Sequence, residues 1–145
     1  MKIISKILIV DDEPGSIEAL KSFLTPDRYR IIVASNGEKA REVIAHGDVD
    51  LVIISAAMPK MSGFDLTAMT KQNEGTSLIP VIMIINENRD EDRARGTQAG
   101  CDDFITKPMV YDDVVLRVST VLELSRNRSL LDEKEKFYSI INNMG

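Results

Sequence analysis

The sequence predicts an α/β protein, a parallel five-stranded sheet held between two layers of helices. Three observations predict it. Short apolar, β-branched runs alternate five times with segments whose apolar residues recur at helical spacing. The middle runs, Leu51-Val52-Ile53-Ile54 and Pro80-Val81-Ile82-Met83-Ile84-Ile85, are apolar throughout, as strands covered on both faces must be. Regular strand–helix alternation joins parallel strands by right-handed crossovers, which leaves helices on both sides of the sheet.

The first strand is Lys6-Ile7-Leu8-Ile9-Val10, ended by acidic residues and Pro14. Ser16 to Leu24 follows as a helix with Ile17, Leu20, Phe23 and Leu24 on one face, and Thr25-Pro26 stops it. Tyr29 to Ala34 is the second strand. Asn36-Gly37 opens a helix through Ala40, Val43 and Ile44 to a His46-Gly47 terminus. Leu51 to Ile54 is the third strand. Ser62-Gly63 starts a helix with Phe64, Leu66 and Met69, which fades into the polar stretch from Gln72 to Ser77. Pro80 to Ile85 is the fourth strand. Asp90 to Ala99 is a helix stopped by Gly100, and Asp103-Phe104-Ile105-Thr106 is the fifth strand. A last helix starts at Tyr111, where Asp112 and Asp113 suit its positive end. Five such units give the flavodoxin-like strand order 2-1-3-4-5, whose ligands bind beyond the carboxyl ends of the strands near the switch between strands 1 and 3.

Composition narrows the function classes. The 145 residues suffice for one domain with a real core, and 43% hydrophobic with 28% charged residues is a globular balance. A net charge of -5 argues against electrostatic binding to nucleic acid or to an anionic membrane surface. No apolar run approaches the ~20 residues that span a bilayer. Met1 to Lys6 carries no signal-peptide pattern, and the single cysteine, Cys101, has no internal partner, so a cytoplasmic protein is expected.

The strand ends carry the chemistry. After strand 1 come Asp11, Asp12 and Glu13, adjacent carboxylates that repel one another unless a cation lies between them. Taken alone this tripeptide reads as a solvated acidic turn. After strand 5 comes Lys107-Pro108, a cation leaving the sheet near that cluster, with a proline suited to the cis form in a tight turn. The pairing of the two strand ends is more specific than either half.

Ile7 to Pro14, Met58-Pro59-Lys60-Met61-Ser62-Gly63-Phe64, Pro80-Val81-Ile82-Met83 and Ala99 to Pro108 together resemble the motifs of response-regulator receiver domains, in order and properly separated over roughly Lys6 to Leu124. The resemblance implies two-component signalling. In that family an acidic pair, a strand 3 aspartate and a nearby backbone carbonyl hold Mg²⁺. The aspartate takes a phosphoryl group from a phosphohistidine, and a lysine with a strand 4 Thr or Ser contacts the phosphoryl oxygens. Carried over, Asp11 and Asp12 match the acidic pair, Ala57 the carbonyl donor, Lys107 the lysine and Phe104 the aromatic switch position.

Two positions depart from this pattern. The acceptor position is Ser55, and the hydroxyl position is Ile85, followed by Asn86. A carboxylate is an anionic ligand and a ready nucleophile, whereas a serine hydroxyl needs a base to take its proton. His46, the one histidine, falls at the end of the second helix. Carboxylates with an ordinary pKa of ~4 are weak bases for that task. Loss of one ligand charge weakens any Mg²⁺ site built on Asp11, Asp12 and Ala57, so the metal is possible but weak and no cofactor is required. Isoleucine donates no hydrogen bond, so the switch that answers phosphorylation is degenerate as well.

His46 otherwise reads as a helix C-terminal residue, Cys101 as a small turn residue without a cationic setting, and the methionines as core filler. Asp90, Glu91 and Asp92 suit a helix N-terminus better than a second metal site. Beyond Leu124, residues 125–145 continue with helix formers up to Gly145 and no proline. Leu130, Phe137 and Met144 recur every seven residues, with Lys134 and Ile141 between them, as in a short heptad seam. The stretch Glu133 to Met144 resembles the signalling helix that leads into a PAS sensor or a kinase dimerisation domain.

The sequence therefore predicts a receiver-like domain over 1–124 and a helical linker over 125–145 leading toward an output or sensor domain. The leading expectation is a non-enzymatic signalling module that acts without phosphorylation. Its expected partners are a histidine kinase, an output domain, or a second copy bound through the last helix or the face of the fourth helix and fifth strand. One alternative is a mutated form of a phosphorylatable receiver. Another is a flavodoxin-like domain binding a small ligand, against which the first loop is acidic and lacks a Gly/Ser/Thr-rich phosphate cradle.

Overall fold

A computed structural model of the chain describes residues 4–24, 29–87 and 89–143, with side chains of the last helix described to residue 128 and at 135. Strands and helices alternate as β1 (Ser5–Val10), α1 (Pro14–Phe23), β2 (Tyr29–Ala34), α2 (Gly37–Ala45), β3 (Leu51–Ser55), α3 (Gly63–Gln72), β4 (Val81–Asn86), α4 (Asp90–Ala99), β5 (Asp103–Lys107) and α5 (Tyr111–Asn143). The sheet is parallel throughout, in the order β2-β1-β3-β4-β5.

Alternation along each strand sorts the core into two halves. Ile7, Ile9, Ile53, Ile82, Ile84 and Ile105 face α1 and α5, meeting Leu20, Leu24, Val114, Val118, Val121 and Leu122. Leu8, Val10, Val52, Ile54, Met83 and Ile85 face the opposite way, meeting Ala40, Ile44, Phe64 and Leu66 of α2 and α3. Each fully buried aliphatic side chain contributes about 1.5–3 kcal/mol by leaving water, so the two half-cores dominate the fold's stability.

Local signals set the boundaries, with small differences from the sequence prediction. Helix α1 starts at Pro14 rather than Ser16, because proline's fixed φ and missing N–H suit the first helical turn. The predicted stop at Thr25-Pro26 lies outside the described residues; Leu24 is the C-cap. Asn36 and Ser62 cap α2 and α3, their side chains accepting from the Lys39 and Asp65 amides. Strand β3 extends one residue to include Ser55, β4 runs from Val81 to Asn86, and β5 extends to Lys107. Lys107-Pro108 is cis. Helix α5 runs unbroken for 33 residues, about 50 Å, through Leu124 and on to Asn143. The side chains of Leu130, Lys134, Phe137, Ile141 and Met144, which carry the predicted heptad seam, lie outside the described residues. No helix among the described residues is long and apolar enough to cross a membrane.

One polar knot ties the base of β4 to its neighbours. The Asp102 carboxylate accepts from the Val81 amide and from Lys71 Nζ, both at 2.8 Å, and Lys71 Nζ also donates to the Ile79 carbonyl at 2.7 Å. Asp102→Ala leaves the Val81 amide and the lysine without that acceptor. A loss of about 1–3 kcal/mol in unfolding free energy is expected, seen as a lower urea midpoint at unchanged slope.

Candidate functional site

The parallel register brings the carboxyl ends of β1, β3, β4 and β5 to one edge: Val10 pairs with Ile54, Ser55 with Ile84, and Asn86 with Lys107. A cleft of about 190 Å³ opens there, lined by Asp11, Asp12, Glu13, Ser55, Ala57, Ile85, Asn86, Asp92 and Lys107 among others. The structure thus gathers Asp11, Asp12, Ser55, Ala57, Ile85 and Lys107 in one place. Phe104 stands apart from that lining.

Asp11 is the deepest charge. It is 1% exposed, its Oδ1 accepts from the Glu13 amide at 3.0 Å, and its Oδ2 has no hydrogen-bond partner. Burial raises its pKa, opposed by the Glu13 amide and by Lys107. Lys107 Nζ reaches Glu13 Oε2 at 3.0 Å, and that contact holds the Glu13 carboxyl below its ordinary range. Glu13, read from the sequence only as part of an acidic cluster, is therefore the partner of the lysine.

Ser55 is 6% exposed and its Oγ donates to the Ala57 carbonyl at 3.3 Å. The backbone around it is tightly set. The Gly63 amide donates to the Ala56 carbonyl, and a Cβ at Gly63 would lie 2.2 Å from the Ser55 carbonyl oxygen, so only glycine fits this start of α3. Ile85 is 2% exposed and belongs to the same apolar cluster against which Phe104 packs.

Among the described residues no three His, Cys, Asp or Glu side chains come together as a metal site. Asp11 and Asp12 supply two carboxylates beside the Ala57 carbonyl, and the orphaned Asp11 Oδ2 is a free acceptor of the kind a hard cation takes. Asp92 was read from the sequence as a helix N-terminal residue. It occupies the first turn of α4 and also lines the cleft, a placement that needs the crossover of a distant helix and leaves no local signature. His46 is the C-cap of α2. The Cys101 thiol is pushed up to about 12 by burial and by Asp102 and Asp103, which makes it a poor nucleophile.

Residues 7–119 match the model of the response regulator receiver domain. The chain belongs to that family. It is 44% identical over 116 residues to the response regulator GtcR of Aneurinibacillus migulanus, covering 80% of this chain and 47% of that protein. It is 33% identical over 129 residues to the response regulator PleD of Caulobacter vibrioides, covering 89% of this chain and 28% of that protein. The signal receiver domain of a histidine kinase from Syntrophus aciditrophicus superposes with a TM-score of 0.75 at 33% identity, over 82% of this chain and 90% of that one. This receiver thus spans about half the length of GtcR and less than a third of PleD.

The raised Asp11 pKa makes stability depend on pH. The folded receiver keeps the Asp11 proton to higher pH than the unfolded chain does. Between the ordinary value of 3.8 and the raised one the native state therefore binds more protons, and stability falls as pH rises through that window. Asp11→Asn removes the charge while keeping Oδ1 as acceptor. Its melting temperature is expected a few degrees above wild type at pH 7, with the difference closing below pH 3.8.

Proposed function

We propose that this receiver signals through protein contacts without taking a phosphoryl group at the end of β3. The observation that carries this reading is Ser55, whose hydroxyl stands at the acceptor position and donates to the Ala57 carbonyl. A neutral hydroxyl attacks phosphorus only when a base removes its proton, and the Ser55 hydroxyl donates instead to the Ala57 carbonyl, which cannot take it. The supporting observation is Ile85, buried where the family's hydroxyl would reach the phosphoryl group. Lys107, the phosphoryl-binding cation of the family, is paired with Glu13.

In this reading Asp11, Asp12 and the Ala57 carbonyl are the residues that would hold Mg²⁺, weakly, since Ser55 adds no charge and already uses that carbonyl. The module is not an enzyme, works in the cytoplasm, and needs no cofactor. The receiver body covers 1–124 and residues 125–145 lead toward an output domain. Its partners are a histidine kinase, that output domain, or a second copy joined through α5 or the α4–β5 face. Incubation with acetyl phosphate and Mg²⁺ tests the reading: no mass increase of ~80 Da labile to hydroxylamine is expected, and a stable acyl phosphate would overturn it.

A second reading, a working receiver altered at its acceptor, is favoured by one observation: Asp11, Asp12 and Lys107 still line the cleft with Ser55. Ser55→Asp separates the two. Recovery of the hydroxylamine-labile adduct together with altered chemical shifts at Phe104 supports the second reading. An adduct without a Phe104 response, or none at all, supports the first.

A further inference from the structure

Helix α4 is attached to the domain unlike its neighbours. Helices α1, α2, α3 and α5 bury aliphatic or aromatic side chains in the two half-cores, whereas Gly96 is the one buried residue among the ten of α4. Gly96 lets the helix sit close over the sheet, since a Cβ there would lie 2.6 Å from the Phe104 ring and 3.1 Å from Met83 Sδ. What holds α4 laterally is a pair of arginines. The Arg93 guanidinium lies 5.4 Å from the Phe104 ring centroid and donates to Thr106 Oγ1 at 2.9 Å, tying α4 to β5. Arg95 lies 4.1 Å from the Phe64 ring centroid, tying α4 to the first turn of α3.

The two ends differ too. At the C-terminal end Gly100 adopts φ 100°, its amide donates to the Gly96 and Thr97 carbonyls, and the Cys101 amide donates to Gly96 as well. At the N-terminal end Arg89 supplies no side-chain cap. That loosely fastened end overhangs the functional cleft. Asp92 lines it, and a second cleft of about 270 Å³ continues from it through Ala56, Ala57, Asn86 and Asp92 to Arg89 and Arg95.

We propose that α4 is a flap hinged at Gly100 and latched by Arg93 on Phe104 and Arg95 on Phe64, whose opening uncovers the cleft at the strand ends. The latch requires neither a phosphoryl group nor the residue at 55. It works through Phe104, the position the family uses as its switch, but is set by α4's own arginines. Arg93 and Arg95 are positioning residues, exposed and outside the cleft's charged pair.

Thiol reactivity in the full chain tests the flap. Ser55→Cys places a thiol in the cleft, and Cys101→Ser in the same chain removes the native one. Arg93→Ala and Arg95→Ala are each expected to raise the rate of that thiol with an aromatic disulfide reagent about 2- to 5-fold, and together by about the product. In the chain with Ser55 intact, the rate of Cys101, which lies beyond the hinge, is expected to stay constant. In a Phe104→Leu background Arg93→Ala is expected to add less, the remaining share coming from its hydrogen bond to Thr106 Oγ1. An unchanged cleft rate in the double arginine variant overturns the proposal. So does a parallel rise at Cys101, which marks general loosening, or an undiminished Arg93→Ala effect without the ring.

Discussion

The level carboxyl edge of the parallel sheet is the constraint on which the rest depends. The middles of β1, β3 and β4 are buried on both faces, so their side chains there are apolar and carry no chemistry. Polar groups are tolerated toward the strand ends, as at Ser5 and Lys6 where β1 enters and at Ser55 and Asn86 where β3 and β4 leave. Because the strands are parallel and in register, these exits fall together, and residues far apart in sequence meet in one cleft. Gly63 shows how tightly that edge is held: the helix after β3 begins so close to the strand end that a single methyl group would collide with the Ser55 carbonyl.

The electrostatics of the cleft follow from what the edge crowds together. Asp11, Asp12, Glu13 and Asp92 line it with a single lysine, and Asp11 is buried with one oxygen unpartnered. A carboxylate at 55 would add another negative charge beside Asp11 and deepen the repulsion, which is the circumstance in which a divalent cation becomes necessary. Serine instead brings a hydroxyl that finds its acceptor in the Ala57 carbonyl. The lysine turns to Glu13, and among the described residues Asp11 Oδ2 is the buried side-chain atom of the cleft left without a partner.

Much of this was legible in the sequence, for identifiable reasons. Strands such as Leu51 to Ile54 announce themselves because burial on both faces forbids polar residues, and Asn36 and Ser62 mark helix starts because their side chains cap locally. The placing of Ser55 and Ile85 at the cleft was readable because the flanking motifs fix their positions at the strand ends. Pro14 opens α1 two residues before the Ser16 that helical spacing suggests, because its backbone suits the first turn. The Glu13–Lys107 pair, the reach of Asp92 into the cleft and the stacking of Arg93 and Arg95 on aromatic rings left no local trace. Each joins residues on different elements through side-chain geometry, and no periodicity encodes that.

The manner in which each helix is held bears on what the domain can still transmit. Aliphatic burial is worth a few kcal/mol per residue and scarcely depends on what happens at the strand ends, so α1, α2, α3 and α5 are fixed by the core itself. Exposed cation–π contacts are worth about 0.5–1 kcal/mol each, small enough for a partner's contacts to outweigh. Helix α4 depends on two of them, and one rests on Phe104. Ser55 takes part in neither contact, so this imbalance does not depend on it. If α4 is the latched flap proposed above, the response runs from partner to α4 to cleft, the reverse of the direction taken when phosphorylation is the input.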